Sequence, residues 1–356
     1  MTYFSTTTLE PQVESRANPP QLIALDWGTS SFRAYLLGSE GQVLETRSGG
    51  RGVLAVTTDV LNQKDRTVAF VRELETMCGD WLQDNPGLPM IACGMVGSNQ
   101  GWTEVDYRTI PSNLLESSAS LTSVSTPYGP LWIIPGLLKE GQPGSIVDLP
   151  DVMRGEETQL LGALPQADAG DDPYIVVLPG THTKWVRLSG SVVTDFGTSM
   201  TGELYDLLVR HSILGRLAET PEQPNEAAFL RGLDVAFGTQ EPRASPGGEG
   251  ILATLFSART LVMTGNLDAL EVHDYISGLL IGAEIVNFSR RWMNDGNEGV
   301  QGPTPVSICA NTALTRRYGV ALNHAGITPS FAHRNAAARG LWLAALATGL
   351  TTKENI

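Results

Sequence analysis

Cysteine is scarce in this chain of 356 residues, and its three cysteines form no recognisable site. Cys78, Cys93 and Cys309 lack the spacing of a zinc or iron–sulfur site, and three residues make a poor disulfide framework. Cys93 and Cys309 lie in apolar runs, where a free thiol packs as a small hydrophobic group. The pattern therefore predicts buried free thiols and a protein of the reducing cytoplasm.

Positive charge is also in short supply. The 24 Lys and Arg residues are outnumbered by 38 Asp and Glu residues, which gives a formal net charge of −14. Because phosphate backbones and anionic lipids are bound by basic surfaces, we expect no nucleic-acid partner and no membrane partner. A locally basic pocket for a small anion is still compatible with this charge. The sequence also lacks an apolar run long enough to cross a bilayer.

Several familiar catalytic signatures are missing. The chain has no Gly-x4-Gly-Lys-Ser/Thr loop, which excludes a P-loop enzyme, and no zinc-protease helix or protein-kinase signature. Asp206 and His211 share a predicted helix without the spacing of a Ser-His-Asp triad. Residues 1–20 are rich in Thr, Ser, Pro and Glu, without the basic start and apolar stretch of a signal peptide, so we expect a disordered leader there.

What the sequence does contain is a pair of similar hairpins, one in each half. One predicted strand leads into Asp26-Trp27-Gly28-Thr29-Ser30 and another into Leu178-Pro179-Gly180-Thr181, each followed by a returning strand. Glycine lets the backbone approach a ligand closely, and neighbouring hydroxyl and amide groups bind phosphate oxygens. A hairpin that recurs once per half predicts two related halves that hold a nucleotide between them.

Predicted strands and helices alternate in both halves. The first half has strands at 21–27, 32–37, 42–47, 90–93 and 131–135, with helices over 64–82 and 151–164. After the second hairpin come helices near 203–217, 226–233, 250–261, 275–293 and 336–347, with a strand at 305–309. This order predicts the α/β class and resembles the two ribonuclease H-like domains of actin-type ATPases, with a nucleotide and substrate cleft between them.

An acidic, turn-rich stretch at residues 165–173 marks the predicted domain boundary. We expect an N-terminal domain on the substrate side over residues 21–168. A C-terminal domain on the nucleotide side is expected over residues 169–356.

The first hairpin ends in a carboxylate. Asp26, at the end of a predicted strand, can orient Mg²⁺ and its waters, while Gly28, Thr29 and Ser30 contact the transferring phosphate. An ordinary hairpin with a polar turn would explain the same residues. The second Gly-Thr hairpin favours the functional interpretation.

The second hairpin predicts phosphate contacts without a metal ligand. Leu178 occupies the position at which related loops in the wider ATPase superfamily often carry Asp. Gly180 and Thr181 are expected to hold phosphate, and Lys184 to meet either a phosphate or a substrate carboxylate. A solvent-facing Lys184 is the alternative.

Glu156 opens the predicted helix that precedes the second hairpin. Acidic residues in a first turn commonly complement the helix dipole, which is the plain explanation. In glycerol kinase-like enzymes, however, a Gly-Asp-Gln-Gln helix at the same place in the chain carries the catalytic base. By that resemblance Glu156 is the base and Glu157 the second candidate.

Two further segments carry predicted ligand contacts. Residues 97–102 follow a strand and combine amide donors with an aromatic side chain, the mixture that polyol recognition needs. An irregular surface loop is the alternative. A later strand ends where the adenine of a nucleotide would bind. The predicted contacts are Ser98, Asn99, Gln100 and Trp102 to the substrate, Arg108 to its carboxylate, and Ala310 and Asn311 to the nucleotide.

With these segments in order, the chain resembles the 2-dehydro-3-deoxygalactonokinase family from about residue 21 to the C-terminal helix. Residues 26–30, 94–102, 178–185 and 200–205 carry the resemblance. It implies ATP-dependent phosphorylation of the terminal 6-hydroxyl of 2-dehydro-3-deoxy-D-galactonate in D-galactonate catabolism, with ATP and Mg²⁺ as cofactors. A homodimer is left open. The alternatives are a kinase of another sugar acid or sugar, and an actin-like nucleotide-dependent sensor without small-molecule kinase activity.

Overall fold

The computed structural model describes residues 18–352, apart from residues 59, 61, 143, 146–147, 166–171, 239–249, 294–303 and 334. The expected leader over residues 1–20 lies almost wholly outside the described residues. The same holds for most of the predicted boundary stretch at 165–173.

Strands and helices are interspersed along the described chain. The strands are β1 (Leu22–Trp27), β2 (Ser31–Leu37), β3 (Val43–Arg51), β4 (Met90–Cys93), β5 (Arg108–Thr109), β6 (Ser112–Asn113), β7 (Thr122–Thr126), β8 (Gly129–Ile133), β9 (Leu137–Lys139), β10 (Asp151–Met153), β11 (Pro173–Leu178), β12 (Thr183–Ser189), β13 (Val192–Ser199), β14 (Val306–Ile308) and β15 (Ser330–Phe331). The α-helices are α1 (Val53–Thr57), α2 (Gln63–Asp84), α3 (Leu114–Ser118), α4 (Glu156–Ala163), α5 (Thr201–His211), α6 (Glu226–Phe237), α7 (Gly250–Thr254), α8 (Ser257–Met263), α9 (Val272–Trp292), α10 (Thr312–His324) and α11 (Ala336–Ala347).

Two six-stranded mixed sheets repeat one strand order. The first sheet runs β3-β2-β1-β4-β8-β7 and the second β15-β14-β11-β12-β13-β6. In the first, β1 pairs antiparallel with β2 and parallel with β4, and β4 pairs parallel with β8. In the second, β11 pairs antiparallel with β12 and parallel with β14, and β14 pairs parallel with β15. The predicted α/β class is confirmed, and the halves share this five-strand pattern.

The central strand of each sheet is apolar along most of its length because both of its faces are buried, and alternate residues of each strand belong to two different apolar clusters. Leu22 through Leu25 of β1 are fully buried, as are Ile175 and Val177 of β11. One cluster of buried side chains runs from β1 to β11 and includes Leu22, Val176 and Leu341. The two sheets are therefore joined by a continuous apolar core.

Helix α11, at the end of the described chain, packs against α4, α3 and β1 of the first half. Its crossing with α4 is a backbone contact between two glycines: a Cβ on Gly162 would lie 1.8 Å from the carbonyl oxygen of Ala336, and one on Gly340 would lie 1.9 Å from that of Thr158. The C-terminal helix thus fixes the helix that begins at Glu156. The division into domains at residues 168 and 169 stays a prediction.

The structure corrects several predicted elements. The helix expected over 151–164 begins only at Glu156, because Asp151–Met153 pairs with β9 as β10 and Gly155 adopts a φ of +111°. The helix expected over 203–217 ends at His211, where Ser212 turns extended. Two short helices, α7 and α8, replace the single helix expected over 250–261. Within the described residues, no helix has both the length and the apolar character required to span a membrane.

Candidate active site

A cleft of about 430 Å³ lies where the carboxyl ends of β1, β4 and β11 meet the start of α4. The residues that line it come from both hairpins, from the end of β4, from residues 152–159 and from position 107. They are Asp26, Gly28, Thr29, Ser30, Gly94, Met95, Tyr107, Val152, Met153, Arg154, Gly155, Glu156, Gln159, Leu178, Pro179, Gly180, Thr181, His182 and Lys184. The two Gly-Thr loops and the two predicted catalytic carboxylates therefore share one cleft.

Two glycines allow the close approach that forms the base of this cleft. Gly94, after β4, has a φ of +92°, and a Cβ there would lie 2.7 Å from the carbonyl oxygen of Trp27. A Cβ on Gly155 would lie 3.2 Å from the Cα of Gly94. Since both residues also need a positive φ, glycine is required on conformational and on steric grounds. The result is that α4 starts directly above the ends of β1 and β4.

Asp26 and Glu156 are the acidic residues among those that line the cleft. Burial raises the pKa of the Asp26 carboxyl, and the Arg33 guanidinium, opposite it in the hairpin, partly offsets this. Burial also raises the pKa of Glu156; the charge of Lys184 opposes that rise and the charge of Asp26 adds to it. Glu156 Oε2 accepts a hydrogen bond from the Arg154 amide at 3.1 Å. Two carboxylates that each resist ionisation form a site suited to proton transfer or cation binding.

Glu157 has a different environment from its neighbour. It is buried and absent from the cleft lining; Oε2 accepts from the Gly155 amide at 2.6 Å and Oε1 from the Thr158 hydroxyl at 3.0 Å. Burial, with the nearby charge of Glu156, raises the pKa of Glu157 to about 7. Glu157 therefore braces the first turn of α4, and Glu156 is the carboxylate that faces the cleft.

The first Gly-Thr loop rests on the start of α1. The amides of Val53 and Leu54 donate to the carbonyl oxygens of Gly28 and Thr29 at 3.0 and 3.1 Å. A Cβ on Gly52 would lie 2.4 Å from the Thr29 carbonyl oxygen. The helix amides thus hold the loop from behind, which leaves its outer face towards the cleft.

The second Gly-Thr loop is held in the same way by α5. The Glu203 amide donates to the carbonyl oxygen of Thr181 at 3.0 Å, and a Cβ on Gly202 would lie 2.3 Å from the carbonyl oxygen of Gly180. The side chains of His182 and Glu203 are also paired. In both halves, a glycine at or next to the start of a helix allows the helix backbone to contact the backbone of the Gly-Thr loop.

A buried carboxyl lies behind the second loop. Glu284 of α9 accepts from Trp185 Nε1 at 2.7 Å, from the Tyr318 hydroxyl at 3.0 Å and from the hydroxyl of Thr201 at the start of α5. Burial raises the pKa of Glu284 to about 7. Because these contacts join β12, α5, α9 and α10, the group links the second loop to the helices beyond it.

Lys184 lines the cleft, but its ammonium group already donates hydrogen bonds within the protein. Nζ donates to the Val152 carbonyl oxygen at 2.7 Å and to the Thr198 hydroxyl at 2.6 Å, and Asp151 lies 3.8 Å away. The side chain is buried rather than directed to solvent. Lys184 joins the second sheet to β10, and its positive charge lowers the pKa of Glu156.

The predicted polyol loop is not assembled in this cleft. Trp102 is fully buried, stacked on Phe70 and edge-on to Trp27. It therefore belongs to the core, and the structure does not support the predicted contact of Trp102 with the substrate. The Ser98 hydroxyl donates to the Met95 carbonyl oxygen at 2.8 Å. Asn99 and Gln100 are exposed and absent from the cleft lining. An aromatic residue in a glycine-rich loop here serves packing.

The other predicted contacts lie elsewhere. Arg108 is exposed on β5 and outside the cleft lining, so the structure does not bring it to a substrate carboxylate there. Ala310 lines a separate cavity of about 530 Å³ at the end of β14, together with Arg316 and Phe331. The side chain of Asn311 accepts from the Leu314 amide at 3.0 Å and caps α10.

Comparison with known proteins identifies the family. Residues 26–344 match the model of the 2-keto-3-deoxy-galactonokinase family. The chain belongs to this family. A 2-dehydro-3-deoxygalactonokinase of Escherichia coli K12 is 36% identical over 305 residues, which cover 85% of this chain and 90% of that protein.

Two further relatives agree with this family assignment. A probable 2-dehydro-3-deoxygalactonokinase of Rhizobium meliloti is 35% identical over 332 residues, covering 90% and 97% of the two chains. A crystal structure of a candidate 2-dehydro-3-deoxygalactonokinase from Sinorhizobium meliloti, 33% identical, superposes with a TM-score of 0.74 over 92% of this chain and 98% of that one.

Four lining residues with polar side chains were not among the predicted contacts: Tyr107, Arg154, Gln159 and His182. Arg154 stands immediately before Gly155 and the predicted base, and that adjacency was the available signal. The sequence offered no signal for Tyr107, because its place in the cleft depends on the contacts of Tyr107 and Val105 with the Arg154 side chain.

The donor set of the cleft fits a magnesium ion held partly by phosphates. Among the described residues, no group of three or more His, Cys, Asp or Glu side chains is arranged to hold a metal ion. Mg²⁺ in phosphoryl-transfer sites needs only one or two carboxylates, with phosphate oxygens and waters as its other ligands. Asp26 and Glu156 share the cleft, and Leu178 is buried in the core, so the carboxylates come from the first half alone.

Proposed function

We propose that this protein transfers the γ-phosphoryl group of ATP to the terminal 6-hydroxyl of 2-dehydro-3-deoxy-D-galactonate, a step of D-galactonate catabolism. One observation carries the proposal: both Gly-Thr loops and the carboxylate of Glu156 line a single cleft. Phosphoryl transfer needs the phosphate held in line with a hydroxyl beside a proton acceptor, and these groups supply both. Membership of the kinase family supports the choice of reaction and substrate.

Glu156 is the proposed base. The attacking hydroxyl gives its proton to the Glu156 carboxylate as the bond to phosphorus forms, and the raised pKa of this buried group makes it a better acceptor than an exposed glutamate. The positive charge of Lys184 opposes that rise. Glu157 already accepts hydrogen bonds from its own helix turn and has no position in the cleft lining.

The phosphates are proposed to lie between the two loops. Gly28, Thr29 and Ser30 contact them from one side, Gly180 and Thr181 from the other, through amide and hydroxyl donors. Asp26 would hold Mg²⁺ either directly through its carboxylate or through water molecules bound to the ion. When bound, the ion would neutralise charge on the phosphate oxygens.

The adenine is proposed to occupy the cavity that Ala310 lines. Strand β14 runs parallel to β11, so its carboxyl end opens at the same edge of the second sheet as the Gly180 loop. This supports a nucleotide that extends from the loop towards α10. Asn311 contributes by capping that helix rather than through a free side chain.

The repeated strand order supports a division into two ribonuclease H-like domains, over residues 21–168 and 169–356. The substrate would bind on the first domain and the nucleotide on the second. Closure of the cleft would then exclude water, which competes with the sugar hydroxyl as the nucleophile.

A coupled ADP-release assay with ATP, Mg²⁺ and 2-dehydro-3-deoxy-D-galactonate tests the reaction, with the product identified by mass spectrometry. We expect turnover that depends on the sugar acid and a monophosphorylated product. Turnover with other aldonates or hexoses instead would assign another kinase. Slow ADP release that is independent of any sugar acid, without a phosphorylated product, would favour the actin-like sensor.

The role of Glu156 is tested by a matched pair of neighbours. Glu156→Gln should lower kcat by about 10²-fold or more, the usual contribution of a general base, with a much smaller change in KM for ATP. Glu157→Gln, an equally isosteric change at the neighbouring residue, should keep most of the activity. Near-normal turnover of Glu156→Gln would transfer the role of base to Glu157 or to Asp151.

A further inference from the structure

Arg154 lines the cleft, and its buried guanidinium leaves most of its hydrogen-bonding capacity unused. The residue is only 8% exposed, and Nη2 donates to the Val105 carbonyl oxygen at 2.7 Å. Nε and Nη1 are buried without a hydrogen-bond partner. Among the described residues, no carboxylate lies within ion-pair distance of Arg154.

This arrangement is unusual for a buried cation. A buried charge is ordinarily paired, because the loss of hydration is otherwise uncompensated. A guanidinium carries five N–H groups, and the Val105 bond uses one of them. One complete edge with two parallel N–H groups therefore remains, and such an edge matches the two oxygens of a carboxylate.

Arg154 stands out among the buried polar groups for its place in the molecule. The other residues with unpartnered buried side-chain atoms in the described chain are Arg66, Trp102, Ser289 and Arg317, and none of them lines the cleft. Arg154 does, two residues before Glu156. Its unused donors thus belong to the same site as the proposed base.

The other cations considered for an anionic substrate are less suitable. Lys184 already donates to Val152 and Thr198, and Asp151 lies beside it. Arg108 is exposed on β5 outside the cleft. Lys184 is also the cation whose charge acts on Glu156, so it is already engaged at the reacting end.

We propose that Arg154 binds the C1 carboxylate of the sugar acid through this free edge and so determines that the enzyme prefers acids to neutral sugars. The proposal rests on the proposed function. The Tyr107 ring lies 4.1 Å from the guanidinium carbon and also lines the cleft. Since Nε and Nη1 have no exposed surface, the proposal requires the carboxylate to displace the Tyr107 ring from the guanidinium.

The discriminating measurement compares the sugar acid with its C1 carboxamide, which has nearly the same shape and no charge. The wild-type protein should have a far lower KM for the acid. Arg154→Met should raise the KM for the acid by about 100-fold and leave that for the amide nearly unchanged, because only the charged pair is lost. Arg154→Lys keeps the charge without the two-donor edge, so its KM for the acid should lie between those of the wild type and Arg154→Met.

Two controls separate the possible outcomes. Arg72→Met removes an exposed arginine of α2 and should change neither substrate constant. If Arg154→Met lowers kcat/KM for acid and amide equally, the side chain only supports residues 105–107 and the proposal is overturned. Loss of the acid preference in Arg108→Met would overturn it in favour of that residue. A wild-type protein that is inactive on the acid would instead refute the proposed function.

A binding measurement covers the case in which Arg154→Met does not fold. Without ATP, the sugar acid should raise the Tm of the wild-type protein more than the amide does, since a ligand stabilises the state that it binds. Arg154→Lys should lose most of that difference. An unchanged difference in Arg154→Lys would overturn the proposal.

Discussion

The crossing of α4 and α11 controls the position of the proposed base, and Gly340→Ala tests this directly. The added Cβ would lie 1.9 Å from the Thr158 carbonyl oxygen, about 1.5 Å closer than the 3.4 Å of an ordinary contact. A backbone carbonyl cannot escape by a rotamer change, so the two helices must separate. Glu156 lies two residues before Thr158, in the turn that would move.

The expected magnitude combines two opposing effects. Overpacking of this kind costs typically about 1–3 kcal/mol. The greater helix propensity of alanine returns about 1 kcal/mol at most. A displacement of about 1 Å at the reacting groups can lower the rate by about 100-fold. We therefore expect a modest net loss of stability and a disproportionate loss of kcat in Gly340→Ala.

Urea denaturation and steady-state kinetics on the same preparations provide the measurement. The control is Gly79→Ala, in the middle of α2, where a Cβ would meet nothing within 4 Å. It should gain up to about 1 kcal/mol from helix propensity and keep its kcat. If Gly340→Ala also becomes more stable at an unchanged kcat, the close crossing does not position the base and the reasoning fails.

Two further predictions concern the second loop and the group behind it. In Gly202→Ala the added Cβ would lie 2.3 Å from the Gly180 carbonyl oxygen, so kcat/KM for ATP should fall about tenfold or more, and unchanged ATP kinetics would contradict the role of this contact. Burial raises the pKa of Glu284 from 4.5 to about 7, so its contribution to stability is present below pH 4.5 and is lost as the pH rises through 7. Between pH 5 and pH 8, the free energy of unfolding of the wild type should therefore fall by about 2–3 kcal/mol more than that of Glu284→Gln, as measured by urea denaturation. An equal fall in both proteins would refute the raised pKa of Glu284.

The features that the sequence predicted well are those that depend on neighbours along the chain. Strand β4 and helix α11 have the predicted bounds, because a short apolar run and a run of small helix-forming residues need little tertiary information. The two hairpins follow from the residues of their own turns. Glu156 could be placed because its position between the hairpins was visible in the sequence.

The features that it missed depend on residues far apart in the chain. The strand Asp151–Met153 forms only because β9 lies beside it, so its residues were assigned to the following helix. Trp102 was predicted to face a ligand, whereas Trp27 and Phe70 enclose it. The unused donors of the Arg154 guanidinium follow from its burial and from the partners that it lacks, and no local sequence pattern encodes either.

The cleft combines a duplicated scaffold with chemistry that differs between its halves. Each half presents a Gly-Thr loop at the end of its central strand, and each loop rests on helix amides across a glycine. Duplication thus accounts for the pair of Gly-Thr loops. The position that holds Asp26 in the first hairpin holds the buried Leu178 in the second, so the carboxylates gather on one side. Lys184, from the second half, supplies the opposing charge. An unequal pair of halves is what a transfer reaction requires, because the donor phosphate and the acceptor hydroxyl must meet different groups.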